Sequence, residues 1–383
     1  MWIGLFPELS EVGGIQQVSR HTAAVLADAV LERSSECALL GLNDPAGSGV
    51  FRVGQNEYTF QGFGRNKIKL LFHLLRALPR IETLYLGHVN LAPLGFFLRL
   101  VRPRIQYWVV IHGVEVWHPL PIFRRIALQR AQRVLAVSAF TAECAVKAQE
   151  LDAERVSVLA PALDPSFLEA QCSDDTVPIP TNSTVLLTVG RLVSTEPGKG
   201  VDSVIRVLPK LLETIPDLYY VVVGGGDLLP KLEEMARASS ARDHILFIGK
   251  LRLEELKHYY ARADIFVMPS RQEGFGLVFL EAMVLGKPVI AGDRGGSPEV
   301  VQDGVTGFLV DPNDLATLTD RLLQLLRDEG LRKNMGDAGR RRVQQHYSFE
   351  SFCKRFASIL TATQSADLQG RCGELNENPS ARR

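Results

Sequence analysis

Short apolar runs alternate with helical patterns through most of this chain, and the series restarts midway. In the first half, runs at 2–6, 83–87, 105–111, 133–137 and 156–159 read as strands, with helices between them such as 15–30 and 121–131. In the second half, strands are expected at 185–189, 219–223, 245–248, 265–268, 288–291 and 307–310. Such alternation means parallel strands, because each crossover helix must carry the chain back over a face of the sheet and so covers it. At 383 residues the chain exceeds one average core and suits two. The expected fold class is therefore α/β, with two doubly wound, Rossmann-like domains facing a central cleft. The polar, proline-bearing segment 169–183 has no period and reads as a linker. It separates an N-terminal domain (1–168) from a C-terminal one (184–348). A helix at about 349–363 follows, and the polar stretch 364–383 is expected to be disordered. Ligands of such sheets bind at the carboxyl ends of the strands, which here means in the cleft.

Composition narrows the partners. Lys plus Arg equals Asp plus Glu, so no overall charge points to nucleic acid. The five cysteines are scattered, with no metal-ligand spacing and no disulfide framework, which suits a reducing cytoplasm. Glu8 and Glu11 stand where a signal peptide would be apolar and basic. The apolar stretch at 91–101 is interrupted by Arg99 and is too short to span a bilayer. Charge is uneven, however. Between residues 60 and 133 there are twelve basic side chains against only Glu82 and Glu115. Lys67, Lys69, Arg76 and Arg80 are interleaved with Ile68, Leu70, Leu71, Leu74, Leu75 and Leu78, a basic amphipathic helix suited to an anionic membrane surface at its inner face. The run from Phe96 to Leu100 is a second candidate.

The densest chemistry lies in Glu273-Gly-Phe-Gly-Leu-Val-Phe-Leu-Glu281. Glu273 sits in a glycine-flanked loop, and Glu281 about one turn into the following helix at 277–285. A loop carboxylate, a helix N-terminus and a helix carboxylate along one line fit a ligand with a hydroxyl-rich end, an anionic middle and a second hydroxyl-rich end. A nucleotide sugar is such a ligand. Its diphosphate must be neutralised, and no Asp-x-Asp loop is present to hold Mg²⁺. The alternative is cationic side chains with backbone amides at a helix start. Arg191 follows a strand, and Lys199 lies in the turn Gly198-Lys199-Gly200. Gly274 and Gly276 permit close backbone approach, while Phe275, Leu277 and Val278 supply free amides. Across the cleft, Gly13-Gly14 opens a helix. The run Val221 to Asp227, which contains Gly225, lacks Gly-x-Gly-x-x-Gly spacing and reads as a strand and turn lining the donor site.

Gly13-Gly14-Ile15, His112-Gly113, Gly190-Arg191, Lys199-Gly200, Glu273 to Glu281, and Gly295-Gly296-Ser297-Pro298-Glu299 occur in that order. On these motifs the chain, from about residue 1 to 356, resembles the retaining GT-B glycosyltransferases of family 4, the glycosyl transferases group 1 type. The resemblance implies a GT-B architecture and hexosyl transfer from a nucleotide-sugar donor to a hydroxyl of a saccharide or lipid-linked acceptor, in polysaccharide or glycolipid synthesis. It implies that Glu273 orients the donor sugar and Glu281 binds the ribose. Arg191 and Lys199 would hold the diphosphate, His112 would lie near the reacting carbon, Gly14 would approach the phosphates, and the strand end at Gly249 to Leu251 would face the base. It also implies that a C-terminal helix crosses back to the first domain. No cofactor and no metal are expected. The alternatives left open are a nucleotide-sugar epimerase and a nucleotide-sugar-binding protein without transferase activity.

Overall fold

The computed structural model describes residues 1–11, 13–31, 35–167, 177–194 and 198–376. Most of the segment read as a linker, 169–176, lies outside them, as do 377–383 of the expected tail. In the first sheet the strands are β1 (Trp2–Phe6), β2 (Cys37–Gly41), β3 (Gly47–Val53), β4 (Asn56–Gly62), β5 (Thr83–Leu86), β6 (Gln106–Ile111), β7 (Arg133–Ala136) and β8 (Val156–Val158). Their spatial order is β3-β4-β2-β1-β5-β6-β7-β8, and only the β3–β4 hairpin is antiparallel. The helices among them are α1 (Gly14–Leu31), α2 (Lys67–Ala77), α3 (Ala92–Val101), α4 (Val114–Trp117), α5 (Ile122–Gln129) and α6 (Ala139–Gln149).

The second sheet contains β9 (Thr184–Val189), β10 (Leu218–Val223), β11 (Ile245–Gly249), β12 (Ile265–Met268), β13 (Val289–Gly292) and β14 (Gly307–Val310). Its helices are α7 (Val201–Leu212), α8 (Leu229–Ala238), α9 (Leu253–Arg262), α10 (Leu277–Val284), α11 (Ser297–Val300), α12 (Leu315–Arg327), α13 (Glu329–His346) and α14 (Phe349–Asn376). All six strands are parallel, in the order β11-β10-β9-β12-β13-β14. This is a doubly wound sheet whose order reverses between β9 and β12.

Both faces of each sheet are covered, as the continuous apolar strands require. In β9, Val185, Leu187 and Val189 join one core while Leu186 points into the other. In β1, Ile3 and Leu5 pack on the side opposite Phe6. Helix α14 leaves the second sheet and lies over the first. Phe352, Phe356 and Leu360, spaced four apart and therefore on one face, enter the core that holds Phe6, Tyr85 and Trp108. Two expectations need correction. The stretch 364–376, read as disordered, continues α14, since no proline interrupts the helix and each added residue adds a backbone hydrogen bond. In α2, the stripe read as membrane-facing is divided: Leu70 and Leu74 are buried under the first sheet, while Ile68, Phe72 and Leu75 are exposed.

Candidate active site

The reversal point of the second sheet supplies the site. Arg191 and Lys199 come from the segment after β9, and Glu273 from the segment after the adjacent β12. Lys199 Nζ lies 2.9 Å from Glu273 Oε2, and the two side chains are 15% and 13% exposed. This charge-assisted bond is mostly shielded from water and holds both groups in one orientation. Arg191 and Lys199 also line a cavity of about 470 Å³ with Arg206, Lys231 and Arg271. Arg271 was not singled out in the sequence. Its backbone N–H donates to Gly198 O (2.6 Å), and its guanidinium lies 3.3 Å from Asp202, so it braces the turn that carries Lys199. The available signal was a cation two residues before Glu273.

Close approach explains the glycines. A Cβ on Gly274 would stand 2.3 Å from the carbonyl oxygen of His112, so the segments that follow β6 and β12 meet here backbone to backbone. Gly276 has φ +99° and caps α10; the left-handed turn sends the chain into the helix and leaves its first amides without intrahelical partners. Leu277 faces α1, its Cδ1 3.7 Å from where Gly14 would carry a Cβ. The N-termini of α1 and α10, each with a partial positive charge, therefore converge. Phe275 is 4% exposed and packs edge-on against Tyr347, with centroids 5.7 Å apart, so its ring anchors the loop and only its backbone is presented. Val278 packs partly buried against the same core.

Glu281 lies deeper. Its Oε2 accepts from the hydroxyl of Tyr260 at 2.6 Å, a partner that sequence reasoning missed because the residues are 21 apart and share no motif. Burial pushes the Glu281 carboxyl up to about 7; the Tyr260 bond opposes this and the charge of Asp164 adds to it. A carboxyl whose folded pKa exceeds its unfolded value binds a proton more readily when folded. Its stability contribution is thus complete below about 4.5 and is lost as pH rises toward 7. Glu281→Gln should therefore flatten the fall in melting temperature between pH 5 and pH 8. An unchanged slope would show that Glu281 does not titrate in this window.

On the other flank of β9, Gly224 N–H donates to Gly249 O at 2.8 Å, tying the turn after β10 to the end of β11. Gly225 lies beneath Lys250, and Leu251 packs partly buried beside it. In the first sheet, His112 N–H donates to Glu115 Oε1 (2.6 Å), and its ring nitrogen Nε2 is 2.8 Å from Gly87 O. The ring is therefore turned toward the end of β5, while the carbonyl faces Gly274. Glu299, which entered the sequence analysis only as the last residue of the Gly295–Glu299 motif, reaches across the cleft from α11. Its two oxygens accept from Ala139 N and Phe140 N, both at 2.8 Å, and so close the N-terminus of α6.

The model of the family described as glycosyl transferases group 1 matches residues 173–342. A GDP-mannose-dependent alpha-(1-6)-phosphatidylinositol monomannoside mannosyltransferase from Mycolicibacterium smegmatis is 34% identical over 312 residues, covering 75% of this chain and 78% of that protein. The chain belongs to the glycosyl transferases group 1 family. An N-acetyl-alpha-D-glucosaminyl L-malate synthase from Bacillus anthracis is 32% identical to this glycosyltransferase over 173 residues, 45% of each chain. The sucrose-phosphate synthase of Thermosynechococcus elongatus superposes with a TM-score of 0.77 at 20% identity, covering 95% of this chain and 99% of the other. Anabaena HepE, solved with UDP, gives 0.75 at 18% identity, covering 94% and 100%. The fold of this glycosyltransferase is GT-B. Among the described residues, no helix is long and apolar enough to cross a membrane.

Proposed function

We propose that this glycosyltransferase moves a hexose from a nucleotide sugar to an acceptor hydroxyl with retention of configuration and without a metal. The observation that carries this reading is the Lys199–Glu273 pair at the reversal point of the second sheet, beside the facing N-termini of α1 and α10. Lys199, Arg191 and the free amides of α10 would hold the diphosphate, and Glu273 would take sugar hydroxyls. Glu281, with one oxygen on Tyr260, would offer the other to the ribose. Transfer breaks the bond between the anomeric carbon and the phosphate oxygen and forms the bond to the acceptor oxygen on the same face. The leaving phosphate takes the acceptor's proton, so the protein contributes positioning and charge stabilisation. GDP-mannose is the donor to test first, because the M. smegmatis relative is named for it. The test is transfer to phosphatidylinositol monomannoside in the presence of a chelator.

A lipid-linked acceptor is supported by the outer face of the first sheet. Helices α2, α3 and α5 lie together there, since Arg102 donates to Leu78 O and Arg99 Nη1 donates to Arg130 O at 2.8 Å. Ile68, Phe72, Phe97, Leu100, Ile122 and Phe123 are exposed on these helices, Phe123 by 80%. Lys67, Lys69 and Arg76 of α2, Arg99 of α3, and Arg124 and Arg125 of α5 stand on the same three helices. Exposed aromatics set among cations match an anionic bilayer. The protein should float with phosphatidylglycerol vesicles at low salt, and Phe72→Asp with Phe123→Asp should leave it at the bottom of the gradient. Equal flotation with uncharged vesicles, or none with charged ones, would remove the bilayer from the account.

A further inference from the structure

The first sheet has its own reversal of strand order. β2 and β4 lie to one side of β1, and β6 to β8 lie beyond β5, so the segments leaving β1 and β5 flank a crevice. β1 leads to Gly13-Gly14 and the start of α1; β5 leads to Gly87-His88; β6 leads to His112-Gly113. His88 therefore stands between Gly14 and His112, on the edge of the sheet that meets Leu277 and Gly274 of the donor side. None of the motifs that placed the site contains it.

Its environment specifies one tautomer. The ring stacks on His112 with centroids 5.6 Å apart and planes 23° apart. Nδ1 accepts a hydrogen bond from Asn90 N–H at 3.0 Å, so in the neutral ring the proton sits on Nε2. Among the described residues no partner takes that Nε2–H. Burial lowers the His88 pKa to about 4, helped by His112 and Arg124 and opposed by Glu115. The ring is thus an uncharged donor at neutral pH. Such a donor suits a hydroxyl or ring oxygen, since it needs no counter-charge.

We infer that His88 is a sugar-contacting residue of the transfer site, its Nε2–H donating a hydrogen bond to an oxygen of the acceptor saccharide. This rests on the glycosyl-transfer reading given above. Two variants isolate the donor. His88→Phe keeps an aromatic ring against His112 and has no N–H. His88→Gln places an amide N–H near the Nε2 position. Both lose the Nδ1 bond to Asn90 and only Gln loses the ring against His112 as well, so activity kept by Gln and lost by Phe is owed to the donor. With GDP-mannose and phosphatidylinositol monomannoside, His88→Phe should lower kcat/KM for the acceptor about tenfold, as loss of one hydrogen bond implies. KM for GDP-mannose and the thermal stabilisation by GDP should stay unchanged, and His88→Gln should retain most of the activity. The inference is overturned if the Phe variant transfers at the wild-type rate, if both variants fall equally, or if GDP stabilisation is lost with transfer.

A measurement independent of turnover separates this inference from the reading beneath it. Ring ¹⁵N NMR should show His88 neutral, with its proton on Nε2, from pH 5.5 to 7.5, and its Nε2 signal should move when methyl α-mannoside is added in the presence of GDP. A signal unmoved by the sugar overturns the inference even where wild-type transfer is intact. If the wild type transfers no sugar from any nucleotide donor, the glycosyl-transfer reading itself fails.

Discussion

Lys199→Ala is expected to lower kcat/KM for the nucleotide-sugar donor by at least tenfold and by as much as a few hundredfold. Two effects add. In the proposed role of Lys199 the leaving diphosphate would lose a charge-assisted hydrogen bond worth about 1.5–3 kcal/mol, and each 1.36 kcal/mol is about a factor of ten in rate. Glu273, only 13% exposed, also loses the cation that orients it at 2.9 Å, so the group proposed to grip the sugar is no longer held in place. GDP affinity should fall with the rate, because the charge is needed both before and during departure of the phosphate. The global fold should persist, since the pair lies at a loop end rather than in a core. Steady-state kinetics with GDP titration of the variant checks this. Unchanged kcat/KM would mean that the cation holds only its own loop.

Phe356→Ala should strongly destabilise the packing of α14 on the first sheet. The side chain is fully buried, with its ring 6.0 Å from that of Tyr85, among Phe6, Trp108 and Phe352. Removing a buried aromatic costs about 3–5 kcal/mol, part for the lost transfer energy and part for the cavity. Helix α14 also ties the second sheet to the first, so the loss should appear as early unfolding of the first sheet while the nucleotide site stays intact. Urea unfolding followed by tryptophan fluorescence is diagnostic, since all three tryptophans, Trp2, Trp108 and Trp117, lie in the N-terminal half. A shift below about 1 kcal/mol would show that α14 packs loosely.

The strand runs were legible because buried parallel strands leave continuous apolar stretches bounded by Gly, Pro and Asp. The strands at 185–189 and 265–268 fall on β9 and β12 within a residue at each end. The segment 37–62 was not read. There β3 and β4 form a hairpin with one face in solvent, where Arg52 and Glu57 pair across the strands and break the apolar run. Apolar residues occur all round α2, so periodicity alone could not tell the core-facing Leu70 and Leu74 from the exposed Ile68 and Phe72. The sequence motifs named Lys199 and Glu273, but their ion pair spans 74 residues and exists only because β9 and β12 are neighbours. The same holds for Tyr260 beneath Glu281, for Glu299 on the N-terminus of α6, and for His88 on His112. Each is a contact between distant segments, written in the topology rather than in local spacing.

Metal-independent transfer with retention is read from the anomeric configuration of the product. GDP-mannose carries its sugar α-linked. With ¹³C-labelled GDP-mannose, phosphatidylinositol monomannoside and EDTA, the new mannosyl residue should show the one-bond C1–H1 coupling of an α linkage and form at the rate seen without chelator. A β-linked product, or transfer that stops in EDTA and returns with Mg²⁺, would contradict that reading.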